Sequence, residues 1–221
     1  MRFFPFLALL FLCFGNSIMA QTQSTIYSCN GKYRIELPNI LELQSSELNS
    51  VSNTVAQNKK PQKNISTQSG HITFQQKGLN AYVKSAYSKY CRVIIEYFKE
   101  DRSASTYGIG NPVIIDRDIL YAINDAAKET CRISGTPLIK IISTESLEIN
   151  GFPVLYYSYR RMGWLKDDGS RQPPVIVNVY TIFNKFEFVK LTFSYRESER
   201  EMWKSIHNNI TKSFLFIRTY K

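Results

Sequence analysis

Residues 175–195 read VIVNVYTIFNKFEFVKLTFSY, and the fold class follows from their pattern. Two β-like runs, Val175 to Phe183 and Phe186 to Tyr195, meet at Asn184-Lys185, so a tight antiparallel hairpin is predicted there. Within the first run Val179, Thr181 and Phe183 alternate with Tyr180 and Ile182, and both sets are largely apolar. Both faces therefore need cover, because each Å² of apolar surface left in water forgoes roughly 25 cal/mol. Helices on both sides of one antiparallel sheet supply it.

On the N-terminal side, two more runs, Leu138 to Leu147 and Phe152 to Arg160, join at Asn150-Gly151, a dipeptide that tolerates positive φ at both turn positions. Asp116 is placed to cap a helix running to about Arg132, with Ile119, Ile123, Ala126, Ala127 and Thr130 on one face and Gly135 just past its end. The last helix opens with Ser198-Glu199-Arg200-Glu201, which has the form of a capping box. Met202 or Trp203, Ile206, Ile210 and Phe214 follow at helical spacing and read as core. Nearer the start, Tyr27 to Leu37 reads as one strand, its Tyr33, Ile35 and Leu37 alternating with Lys32, Arg34 and Glu36 until Pro38. His71 to Gln75 and Cys91 to Phe98 read as further strands. Between them, Leu79, Val83, Ala86 and Tyr90 fit a helical face, while the Tyr and Ser content suits extended chain equally. Residues 39–70 are rich in Ser, Asn, Gln and Thr and are expected to form a long polar loop.

The first twenty residues have the order of a secretory signal: Arg2, an apolar run from Phe3 to Phe14, then small residues before Ala20. Twelve apolar residues as a helix reach about 18 Å, short of the roughly 30 Å hydrocarbon core, so cleavage near Ala20 is expected rather than a membrane span. Cys13 raises lipidation, against which bulky Leu12 stands directly before it. The remainder, 21–221, is expected to form one globular domain that is secreted or periplasmic and soluble; the whole sequence, at 43% hydrophobic and 14% aromatic, has enough apolar content for its core. Cys29, Cys91 and Cys131 remain, an odd number that permits at most one disulfide by any of three pairings; small buried hydrophobes are the expected role.

Strands, a helix, a four-strand meander and a closing helix make an α+β order that resembles the PsbP-like and DcrB-like secreted domains. Ile35-Glu36-Leu37-Pro38, Ile149-Asn150-Gly151-Phe152-Pro153-Val154 and Ile210-Thr211-Lys212-Ser213-Phe214 carry the resemblance. It implies an antiparallel sheet between helical layers, an α/β/α sandwich, and a non-enzymatic accessory or binding role.

Charge points to a partner. Without Arg2 the chain has 27 basic against 18 acidic residues, a net +9. Between Glu47 and Glu96 no acid occurs, while Lys59, Lys60, Lys63, Lys77, Lys84, Lys89 and Arg92 are all basic. Such a segment suits an anionic envelope lipid, an acidic glycan or an envelope protein, at about 1 kcal/mol per basic residue near a charged surface. Tyr82, Tyr87 and Tyr90 lie among these cations, and a plain solvated face is the competing reading. A second candidate site is the 161–174 loop, where Trp164 and Arg171 flank a turn at Asp167-Asp168-Gly169. Nucleic acid is disfavoured by export.

No catalytic motif emerges. His71 and His207 are the only histidines and have no metal-ligand spacing with Cys, Asp or Glu, so neither a metal nor a cofactor is expected. Gly108-Ile109-Gly110 lacks the third glycine of a dinucleotide site. Cys91 with either histidine, Glu145 with Glu148, or Asp167 with Asp168 would support chemistry only if space brought them together. Asn64-Ile65-Ser66 and Asn209-Ile210-Thr211 fit a glycosylation pattern relevant only to a eukaryotic host. The leading expectation is an exported non-catalytic binding or accessory protein of the cell envelope. The alternative is an exported hydrolase whose site forms only in three dimensions.

Overall fold

A computed structural model describes residues 24–29, 31–44, 67–83, 85–86, 89–99, 107 and 110–217. Ten strands and two longer helices occur among them: β1 (Ser24–Cys29), β2 (Tyr33–Pro38), β3 (Leu41–Leu43), β4 (Thr67–Gln76), β5 (Cys91–Lys99), α1 (Arg117–Ile133), β6 (Leu138–Ile149), β7 (Phe152–Arg161), β8 (Val175–Asn184), β9 (Glu187–Arg196), α2 (Arg200–Ser213) and β10 (Leu215–Phe216). Seven strands form one sheet in the order β3-β4-β5-β9-β8-β7-β6, with every neighbouring pair antiparallel. A smaller sheet, β1-β2-β10, is separate from it.

The alternation in β8 divides the core as its sequence requires. Val175, Val177 and Val179 join Tyr159 beneath α1, where Ala127 and Cys131 pack. Ile176, Tyr180 and Ile182 face the opposite way, into the larger core with Val93, Ile95, Leu191 and Phe193. That core is closed by Trp203 and Ile210 of α2 and by Tyr33, Ile35 and Leu37 of β2. The fold is thus α+β, an antiparallel sheet flanked by helices, with the small sheet sharing the work of α2 on its side.

Several local expectations hold. Asp116 accepts the Ile119 amide at 2.8 Å and caps α1, and Gly135 follows the helix with φ +65°. Asn150 and Gly151 turn β6 into β7 with φ of +52° and +85°. Cys91 and Cys131 are buried free thiols, and burial raises the pKa of each.

Others differ, for physical reasons. The single strand expected from Tyr27 to Leu37 is the hairpin β1–β2, broken where Gly31 adopts φ +67° and paired from Ser24↔Pro38 to Cys29↔Tyr33. The last hairpin turns at Lys185-Phe186, one residue later than expected, because Asn184 is the last residue of β8 and pairs with Glu187. The capping box does not form. Glu197–Glu199 make a 3-10 turn, α2 begins at Arg200, and Glu199 accepts the Trp203 indole N–H at 2.8 Å. With the helix starting at Arg200, Ser198 falls inside the 3-10 turn rather than at the cap, so Ser198 and Glu201 do not stand in the cap and third positions the box requires. Glu199 serves as the acceptor that the buried indole needs. Both ends of the expected 39–70 loop belong to the sheet: Leu41–Leu43 pairs with β4, which begins at Thr67. Its middle, 45–66, and the leader, 1–20, lie outside the described residues.

Candidate functional site: a basic corner cleft

The connection from β4 to β5 is fastened to its surroundings residue by residue. Lys77 N–H donates to the Ile40 carbonyl (2.8 Å), and Asn80 donates to Glu42 Oε1 (2.7 Å) and to the Leu43 carbonyl (2.7 Å). Gly78, at φ +98°, and Tyr82, at φ +53°, allow the chain to reverse; Val83 N–H returns to the Gly78 carbonyl at 2.9 Å. Burial pulls the Glu42 pKa upward, but hydrogen bonds from Asn80, Gly78, Gln75 and Leu79 outweigh it, and the carboxyl is held below its ordinary value.

Farther along, the buried Gln76 amide clamps the returning chain. Its Oε1 accepts the Cys91 amide at 2.7 Å, and its Nε2 donates to the carbonyls of Ala86 and Lys89. Glu199 then ties this segment to α2, accepting Tyr90 N–H (3.2 Å) and the Trp203 indole, with Arg196 at 3.6 Å. Between turn and helix lies a cleft of about 550 Å³. Ile40, Val83, Ala86, Met202 and Trp203 give it apolar walls, while Lys77 and Lys89 line it as exposed cations. Ile40, Val83 and Met202 are 37%, 45% and 38% exposed, so this corner shows apolar side chains to solvent.

The residues singled out in the sequence separate into three groups. Lys77 and Lys89 meet at the cleft. Arg92 points to the other face of the sheet, which carries α1, since it alternates with buried Cys91 and Val93 of the larger core. Lys59, Lys60, Lys63 and Lys84 lie outside the described residues. Trp164 and Arg171 stand at the same end of the sheet but beyond β7, four strand spacings from β4, or roughly 19 Å across. There Leu165 bridges to Arg171, whose guanidinium donates to the carbonyls of Gly135 (3.3 Å) and Gly163 (3.2 Å), and Trp164 is 43% exposed. Ile40, Gln76 and Glu199 were not legible as site residues, because each acts through long-range contacts that no local spacing announces.

No histidine, cysteine, aspartate or glutamate is found among the described residues lining this cleft. Among the described residues no group of three or more His, Cys, Asp or Glu gathers as for a metal. His71 pairs with Thr73 (3.1 Å) and Glu96 (3.8 Å) on the sheet. His207 lies against Phe193 and Tyr180, its Nε2 has no hydrogen-bond partner, and burial draws its pKa down to about 4. Cys91 has its thiol pushed up by burial and then by Glu199, the reverse of an activated nucleophile.

No protein-family model and no curated protein matches the chain. Among solved structures it is similar to the cyanobacterial PsbP of Synechocystis sp. PCC 6803, with 14% identity, 94% of this chain and 98% of that one covered, and a TM-score of 0.49. It is also similar to LpqN, involved in cell envelope biogenesis in Mycobacterium tuberculosis (11% identity, 88% and 90% covered, TM-score 0.44), and to the Saccharomyces cerevisiae Ran-binding protein Mog1p (8%, 89% and 96%, 0.43). The PsbP-like resemblance read from the sequence has this counterpart at the level of fold.

Proposed function

We propose that the protein is an exported, non-catalytic binding module that takes an anionic amphiphile into the corner cleft. The observation that carries this is the cleft itself: apolar walls, two lysines and no carboxylate among its lining residues. An apolar chain gains roughly 25 cal/mol for each Å² it buries against Ile40, Val83 and Met202. The anionic head faces Lys77 and Lys89, which also gives the acid-free segment from Leu48 to Ile95 a purpose. Glu96 and His207, which carry large pKa shifts, lie outside the cleft, whose described lining holds no carboxylate, histidine or cysteine to support the hydrolase reading. Export through the leader delivers such a module to the envelope.

Trp203 reports on the cleft directly. The chain has two tryptophans, so Trp164→Phe leaves Trp203 as the sole indole fluorophore. Titration of that variant with monomeric dodecyl phosphate is expected to give a saturable emission change that weakens as salt is raised. Replacing both lysines by Gln is expected to weaken binding roughly 30-fold, at about 1 kcal/mol for each charge removed. Equal affinity for zwitterionic dodecylphosphocholine, or an unchanged affinity after both replacements, contradicts the proposal.

A further inference from the structure

Tyr82 is a bulky residue at φ +53°, a conformation that side chains other than Gly, Asn and Asp rarely adopt, and it is 78% exposed. The turn is built to hold it there: Val83 returns to Gly78, Tyr82 N–H donates to the Leu79 carbonyl (3.1 Å), and Asn80 anchors the turn to β3. Gly78 has no space to spare, since an added Cβ would sit 3.3 Å from the Cβ atoms of both Val83 and Ala86. A sequence indifferent to what this position displays would have glycine or asparagine there.

Around Tyr82, the exposed apolar side chains of Ile40, Leu43, Val83 and Met202 occupy the same corner. Lys77 and Lys89 flank them. The nearby carboxylates are engaged: Glu42 accepts from the turn, and Glu199 from Tyr90 and Trp203. Exposed Glu201 is offset by exposed Arg200 beside it. We infer that this corner docks on an anionic bilayer, with the Tyr82 ring as an anchor at headgroup depth and the cleft mouth opening toward the acyl chains. Tyrosine favours that depth because its ring is apolar and its hydroxyl stays wet. Burying four aliphatic side chains is a gain that a polar glycan does not offer. The Trp164 arm at the same end of the sheet carries Asp167 and Asp168 beside Lys166 at its tip, so that tip lacks the uncompensated cations that the corner offers an anionic surface.

The inference rests on the cleft reading for the route of the ligand, and the two are tested separately. The chain recovered after export is sedimented with phosphatidylcholine vesicles, with or without phosphatidylglycerol, as wild type and as Tyr82→Asn. Asparagine tolerates the left-handed turn, so the fold and melting temperature should be retained. The expected result is binding only to the anionic vesicles, at least tenfold weaker in Tyr82→Asn, with dodecyl phosphate affinity at Trp203 unchanged. Equal binding to both vesicle types, or no loss in Tyr82→Asn, overturns the docking. Vesicle binding that survives a failed dodecyl phosphate titration supports docking and removes the cleft reading instead.

Discussion

Gln76→Leu is expected to cost about 3 kcal/mol of folding stability and to abolish binding at the corner, although leucine fills nearly the same volume. Gln76 is 5% exposed, and its amide is the shared partner of Cys91 N–H and of the Ala86 and Lys89 carbonyls. Leucine offers none of these bonds and leaves three backbone groups without that partner, at about 1–3 kcal/mol for each that water does not reach. The chain before β5 then loses the clamp that holds Lys89 at the cleft, while β5 keeps its pairing with β9. Urea unfolding should show the lower midpoint, and the Trp203 titration should lose its response. A variant with wild-type stability and affinity would show that the clamp does not shape the cleft.

The second large effect is a loss of stability in mild acid. His207 is buried, its ring 4.1 Å from that of Phe193 and 5.2 Å from that of Tyr180 by centroid, and burial lowers its pKa from 6.5 to about 4. The unfolded chain therefore takes up a proton near pH 6.5 that the folded chain refuses until about pH 4. Stability is complete above the higher value and falls as pH drops through this window. Between pH 7 and pH 5 the loss should be about 2 kcal/mol. His207→Leu should be flat across the same range. An unchanged slope in that variant would assign the acid sensitivity elsewhere.

Glu96 governs a separate and lower window. Burial raises its pKa, but Lys190 at 3.0 Å and His71 at 3.8 Å more than compensate, holding it at about 2 against an ordinary 4.5. Its contribution is present above about pH 4.5 and disappears as pH falls toward 2. The two windows are distinguishable because they meet only near pH 4.

What the sequence made legible was whatever local chemistry dictates. The meander followed from alternation in Val175 to Tyr195 and from the Asn150-Gly151 turn, and α1 followed from Asp116 and Gly135. Missed features depended on contacts far along the chain. Ser198 and Glu201 look like a capping box until Glu197–Glu199 tighten into a 3-10 turn, in which Glu199 accepts from the Trp203 indole and from Tyr90 of a different connection. Leu41–Leu43 is too short and too polar in context to announce a strand; it becomes one because β4 offers it an edge. Lys77 and Lys89 were legible as charge, but their meeting with Met202 depends on how the β4–β5 connection packs against α2. Arg92, three residues past Lys89, points to the opposite face because strand alternation begins at Cys91.

On the proposed function, the corner cleft rather than the Trp164 arm receives the anionic amphiphile. Methionine ε-methyl NMR separates them, since Met202 lines the cleft and Met162 opens the arm. On addition of dodecyl phosphate, the Met202 methyl resonance should shift and saturate while that of Met162 stays in place. A shift at Met162 with none at Met202 would place the ligand on the arm instead of in the cleft.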